Sequence, residues 1–175
     1  DTFDVSPLIM PQKRFDELSS HLMLFFTGIS RFATEVAKSK IENFKNREKE
    51  LKSIREMVDE AISILQVEHR SLDEFGQLLH ESWLFKRSLS DKISNSEIDG
   101  MYEAALQAGA IGGKLLGAGG GGFLLIFAKP EQHSAIRTTL SHLVHVPFKF
   151  DNSGSRVVLY QPYGLKSRKK IVQFI

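Results

Sequence analysis

Residues 109–123 read Gly-Ala-Ile-Gly-Gly-Lys-Leu-Leu-Gly-Ala-Gly-Gly-Gly-Gly-Phe, and beyond Gly109 this stretch holds seven of the chain's 13 glycines. Glycine reaches positive φ at little steric cost and lets a ligand approach the backbone, so successive N–H groups can turn inward as a nest for an anion. Phosphate is the natural guest. A flexible linker is one alternative, because glycine-rich linkers behave as random coils, and a loose hairpin tip is another. The flanks argue against a linker: Lys114-Leu115-Leu116 before the loop and Phe123-Leu124-Leu125-Ile126-Phe127 after it are core-forming, so a sheet should hold both ends. Two familiar phosphate motifs do not fit. The dinucleotide fingerprint and the P-loop both run strand, glycine loop, helix, whereas here a strand follows, and Phe123-Leu124 stands where the P-loop has Lys-Ser/Thr.

The whole chain has the composition of one globular domain: 175 residues, 42% hydrophobic and 25% charged. No apolar run approaches the roughly 20 residues of a membrane-spanning helix. The start, Asp1-Thr2-Phe3-Asp4, lacks the basic-then-apolar pattern of a signal peptide. With no cysteine, the chain has no disulfide, thiolate metal site or cysteine nucleophile, which fits a cytoplasmic location. The net charge of +2 comes from Lys166, Arg168, Lys169 and Lys170 near the end; without them 19 basic residues face 21 acidic ones. A slightly acidic body does not carry a nucleic-acid footprint, and the tail reads as a disordered terminus. Neither a nucleic-acid nor a membrane partner is expected.

The pattern predicts an irregular segment over 1–17, containing Pro7 and Pro11, a folded unit over 18–162 and a basic tail over 163–175. Leu22-Met23-Leu24-Phe25-Phe26 is apolar on both faces and reads as a strand needing cover on both sides. From Arg31 to about Gln66 there is neither glycine nor proline, and Phe44, Leu51, Val58 and Leu65 recur every seven residues. This is either one long helix or two that meet near residues 43–46. Ser71-Leu72-Asp73-Glu74 has capping-box form and should open a helix to about Leu89; Ser94-Asn95-Ser96-Glu97 repeats the pattern before a helix ending at Gly109. Strands are predicted over 110–116 and 123–128, a helix from Pro130 to about Leu143, and strands over 146–150 and 156–160 joined by the turn Asp151-Asn152-Ser153-Gly154. The fold class is α+β: an antiparallel sheet with helices packed on one face, plus an inserted helical block.

Residues 108–123, with lysine followed shortly by Gly-Ala-Gly-Gly-Gly-Gly and an apolar strand, resemble the third conserved motif of the GHMP small-molecule kinases, which include galactokinase, homoserine kinase and mevalonate kinase. Leu116 stands where many members have threonine and Phe123 where many have cysteine. Thr27-Gly28-Ile29-Ser30-Arg31-Phe32-Ala33 and Gly112-Gly113-Lys114 are similar to the branch that phosphorylates D-glycero-D-manno-heptose 7-phosphate. The resemblance covers residues 18 to about 162, only the C-terminal half of that family, and implies a ferredoxin-like C-terminal domain. The family's Gly-Leu-Gly-Ser-Ser phosphate loop has no counterpart in the sequence. The resemblance therefore implies a fragment of an ATP-dependent sugar or sugar-phosphate kinase, inactive alone, with the strand at Leu22-Phe26 near the centre of a bilobal molecule. ATP and Mg would be held mainly by the other half, and the acceptor would be a sugar or sugar phosphate. The partner would be that half or a second copy.

By the same resemblance Gly117, Ala118, Gly119, Gly120, Gly121 and Gly122 would line the active cleft, with Lys114 near it; an exposed strand lysine is the alternative for Lys114. Ser30 and Arg31, after a glycine turn, and Lys86, on a helix with Trp83 and Arg87, are candidate acceptor contacts. Core packing is the alternative for Trp83. His142 and His145 are i, i+3 neighbours without a carboxylate at ligand spacing, so no metal site is predicted. A stand-alone, non-catalytic module that binds an anionic metabolite is the competing function.

Overall fold

The computed structural model describes residues 7–30 and 33–151, with Gly154 and Val157. Its framework is a four-stranded antiparallel sheet made of β1 (Leu22–Phe26), β2 (Gly112–Leu115), β3 (Phe123–Phe127) and β4 (Val144–His145), in the order β2-β3-β1-β4. The register pairs Leu22 with Phe127, Leu24 with Leu125 and Phe26 with Phe123 on one face, and Met23 with Ile126 and Phe25 with Leu124 on the other. Alternation then decides burial. Met23, Phe25, Leu124, Ile126 and Leu115 join one large core with Trp83, Ile98, Met101, Tyr102, Ala105, Ile136 and Leu140. The helical members lie on α4 (Leu72–Ser88), α5 (Ser96–Gln107) and α6 (His133–Thr139), with Leu140 at the C-cap of α6.

Among the described residues the second face is covered only in part. At its Phe127 end Leu18, Leu65 and Leu72 form a smaller cluster around Phe127, with Phe75, Leu79 and Leu22 against it. At the other end Phe26 and Phe123 stay 38% and 40% exposed. The expected α+β architecture is thus present, and the inserted helical block also reaches round to the second face. Helix α4 runs beside β2 at a separation only glycine allows: a Cβ on Gly112 would lie 2.0 Å from the Gly76 carbonyl oxygen, and one on Gly76 would lie 2.5 Å from Phe127 Cδ1.

Of the two readings of the long helical stretch, the broken one holds. Helix α2 (Ala33–Asn43) ends in a 3-10 turn, Phe44–Asn46, before α3 (Glu48–Gln66). Asn43 Nδ2 donates to the Leu89 carbonyl at 3.1 Å, and Ser39 and Ser90 hydroxyls meet at 2.7 Å, so α2 is tied to the C-terminus of α4. The capping box at Ser71 is present: its hydroxyl accepts from Asp73 N–H at 3.1 Å, and Glu74 accepts from Ser71 N–H at 3.1 Å.

Four expectations need correction. Part of the segment predicted as irregular is helix α1 (Gln12–His21). It forms because Arg14 is buried and donates to the carbonyls of Ile64 at 2.8 Å and Arg70 at 2.7 Å, partners the local pattern does not show. The cap of α5 is Asn95 rather than Ser94: Asn95 Oδ1 accepts from Ile98 N–H at 2.9 Å, while Ser94 donates to Asp99 at 2.6 Å. The helix predicted from Pro130 to about Leu143 is shorter, with a 3-10 turn at Pro130–Gln132 before α6. The strand predicted over 146–150 instead pairs two residues earlier, at Val144–His145, and its last ladder bond is Val146 N–H to Leu24 O at 2.8 Å. Pro147 has no N–H to continue it, and Phe150 packs on Phe15 at 5.3 Å. The strand expected over 156–160, apart from Val157, and the basic tail lie outside the described residues.

Candidate functional site

The glycine loop joins β2 to β3 and is a fixed object. Gly117, Gly119, Gly120, Gly121 and Gly122 all have positive φ, at 70°, 118°, 78°, 154° and 99°, a run that residues with a Cβ rarely adopt. Both sides are pinned. Gly120 N–H donates to the Ile93 carbonyl at 2.8 Å and Gly122 N–H to the Ile29 carbonyl at 3.0 Å. The Gly122 carbonyl accepts from Thr27 twice, from its N–H and its hydroxyl, each at 2.9 Å. Contact is tight enough that a Cβ on Gly121 would lie 2.3 Å from the Ile29 carbonyl oxygen, and one on Gly119 2.8 Å from Ile93 Cα. The N–H groups of Gly117, Ala118 and Gly121, by contrast, make no hydrogen bond to a described residue. A pocket of about 340 Å³ lies against the loop, lined by Gly117, Ala118, Gly119, Gly121 and Gly122, with Phe26, Ile29, Leu116 and Phe123 as apolar walls and Ser30 beside them.

A pinned glycine loop between two strands, with its helices behind the sheet, is accompanied by a match of residues 60–142 to the family model of the GHMP kinases C terminal. The chain carries a GHMP kinase C-terminal domain. Over 131 residues it is 33% identical to the D-glycero-alpha-D-manno-heptose 7-phosphate kinase of Campylobacter jejuni, covering 73% of this chain and 38% of that protein. Over 130 residues it is 34% identical to the bifunctional fucokinase/GDP-fucose pyrophosphorylase of Arabidopsis thaliana, covering 73% of this chain and 12% of that protein. The chain therefore spans well under half of the curated relatives it matches. In fold it is similar to the mevalonate kinase of Methanococcus jannaschii, with a TM-score of 0.64 at 20% identity over 78% of this chain and 42% of that one.

The candidate residues, most of them within the matched GHMP segment, separate by position. Gly117, Ala118, Gly119, Gly121, Gly122 and Ser30 line the pocket; Gly120 does not, because its N–H is turned to Ile93. Arg31 lies outside the described residues. The Lys114 ammonium points away from the loop pocket, donating to Ser82 Oγ at 3.0 Å beside a groove lined by Ile54, Val58 and Leu79, and burial lowers its pKa. Lys86 is also outside the pocket lining but touches the loop. Its ammonium donates to the carbonyls of Leu115 at 2.7 Å and Gly117 at 2.8 Å and stands 5.8 Å over the Trp83 ring. Burial, then the neighbouring charges of Lys114 and Lys40, lower its pKa to about 8.

Sequence reasoning missed Thr27 and Ile93 as the loop's anchors and Lys86 as its clamp. The only local hint was Thr27 beside a glycine of positive φ, Gly28 at 74°. Trp83 is core, fully buried against Tyr102. No group of three or more metal-ligating side chains occurs among the described residues, and no described helix is long and apolar enough to cross a membrane.

Proposed function

We propose that this chain is the C-terminal domain of an ATP-dependent sugar kinase that transfers the γ-phosphoryl group to a hydroxyl of a sugar phosphate, with a heptose phosphate as the leading candidate. The observation that carries this reading is the pinned loop whose free N–H groups, on Gly117, Ala118 and Gly121, adjoin a pocket. Phosphoryl transfer needs little covalent help from protein. It needs positioning: an acceptor held so that its hydroxyl faces the γ-phosphorus. N–H groups held by a backbone that cannot relax meet that need by fixing the acceptor's own phosphate, since they require no reorganisation when it binds.

The names of the relatives, a heptose 7-phosphate kinase and a fucokinase, support a sugar or sugar-phosphate acceptor. Ser30, at the pocket, and Arg31 would contact that acceptor. Lys86 and Lys114 would act from behind the loop, Lys86 by holding its entry strand. ATP and its Mg ion would be bound mainly by the part of the kinase that these 175 residues do not contain. The chain alone is then expected to be inactive, and its working state is paired with that half.

The test is phosphoryl transfer from ATP to heptose 7-phosphate by the enzyme that carries this domain, with and without Gly121→Ala. The added Cβ would strike the Ile29 carbonyl and force a residue with a side chain to φ near 154°. Turnover should fall by roughly 100-fold or more, as when a bound substrate is misplaced by about 1 Å. Unchanged turnover would reduce the loop to a hairpin tip, and transfer by the isolated chain would refute the fragment reading.

A further inference from the structure

The pocket wall contains two phenylalanines that the core does not need. Phe26 and Phe123 are cross-strand partners whose rings lie 5.3 Å apart at 48°. They are 38% and 40% exposed, whereas their neighbours along the strands, Phe25 and Leu124, are 1% and 0% exposed. Half-exposed aromatic pairs are ordinary on a sheet, but this pair is held in place at the mouth of the loop. Thr27, which follows Phe26, is locked by two hydrogen bonds to the carbonyl of Gly122, which precedes Phe123. Leu116 N–H donates to the Phe123 carbonyl at 2.8 Å. The backbone beneath both rings is therefore set before any ligand arrives.

We infer that Phe26 and Phe123 form an aromatic platform for the ring of the acceptor, selecting a sugar phosphate by its C–H face while the free loop N–H groups take its anionic end. The inference rests on the kinase reading above and narrows the acceptor's subsite within it. An aromatic face attracts the slightly positive C–H bonds of a saturated ring, and a mostly apolar pocket with a few fixed polar groups is the usual form of a small-molecule site. Spacing favours a sugar over a nucleobase. Phe123 is the next residue but one after Gly121, so the platform and the Gly121 N–H are within two Cα steps, about 7 Å. A sugar phosphate presents ring and phosphate that close together. In a nucleotide, the ribose and the phosphate chain hold the base away from the terminal phosphates.

The experiment is an amide NMR titration of the enzyme that carries this domain with four probes: inorganic phosphate, glycerol 3-phosphate, heptose 7-phosphate and ADP. Heptose 7-phosphate should bind roughly tenfold more tightly than glycerol 3-phosphate, the scale of one good aromatic contact. Phe123→Leu and Phe26→Leu should each remove most of that advantage without changing the affinity for glycerol 3-phosphate. Phe123→Tyr, which keeps the flat face, should retain it and serves as the control for folding. Equal affinities for the two organic phosphates, or a heptose advantage that survives both leucine variants, would overturn the platform. So would a phenylalanine-dependent advantage confined to ADP. If no probe moves the Gly117, Ala118 and Gly121 amides, the anion cradle beneath the inference fails, a result distinct from loss of the ring contact alone, and the platform falls with it.

Discussion

Two residues show how differently a glycine and a lysine can govern the same strand, β2. Gly112 lets α4 sit on β2, and its replacement by alanine would place a methyl group 2.0 Å from the Gly76 carbonyl oxygen, a rigid backbone atom. Gly112→Ala should cost about 3 kcal/mol, the upper range for overpacking a close contact, measured by urea unfolding. Lys86 acts through charge. Its folded-state pKa is about 8 against 10.5 for the free side chain. Between these values the unfolded chain holds the proton more tightly, so stability contributed through Lys86 rises with pH across that window, and the burial penalty is fully present below pH 8. The stability of the native chain relative to Lys86→Met should therefore increase from pH 7.5 to 10; a flat difference would show that the ammonium is well solvated.

Elements are joined by long-range polar contacts more than by their own caps. The cap of α4 is local: Ser71→Ala removes the acceptor for Asp73 N–H and should destabilise the fold by about 1 kcal/mol, seen as a lower denaturation midpoint with an unchanged slope. The start of that helix is also ringed by Arg70, which pairs with Glu60 and Glu74; at the surface such pairs add little, so the cap should dominate. Helix α1 depends instead on Arg14, whose acceptors lie 50 and 56 residues away. That distance explains the misreading of residues 12–17. A window that sees Pro7 and Pro11 finds breakers, and the buried guanidinium that justifies a helix has its partners at the end of α3 and in the turn before α4.

For the whole molecule, the single tryptophan is a convenient reporter. Trp83 is fully buried in the larger core, between Lys86 and Arg87 at 5.8 and 5.9 Å from its ring. Because that core draws on both sides of the glycine loop and on four helices, α2 among them through Val36, Trp83 fluorescence and far-ultraviolet circular dichroism should report the same midpoint. A helical signal that persists after the fluorescence change would show that the α2–α3 arm melts separately.

The glycine run between two apolar strands, the doubly apolar Leu22-Phe26 segment and the capping box at Ser71 were legible because each is a pattern of neighbours, fixed by steric freedom, period and local hydrogen bonds. Those patterns determined the α+β class and the antiparallel hairpin around the loop, and they marked the segment for which anion binding is proposed. What closes the loop and furnishes its pocket was settled only by tertiary structure. Lys86 reaches carbonyls 29 and 31 residues further along, Thr27 holds a carbonyl 95 residues away, and Phe26 meets Phe123 across the sheet. A sequence pattern records what a residue can do with its neighbours; which distant backbone it will meet depends on the register of strands and the docking of helices, and those follow from packing the whole core at once.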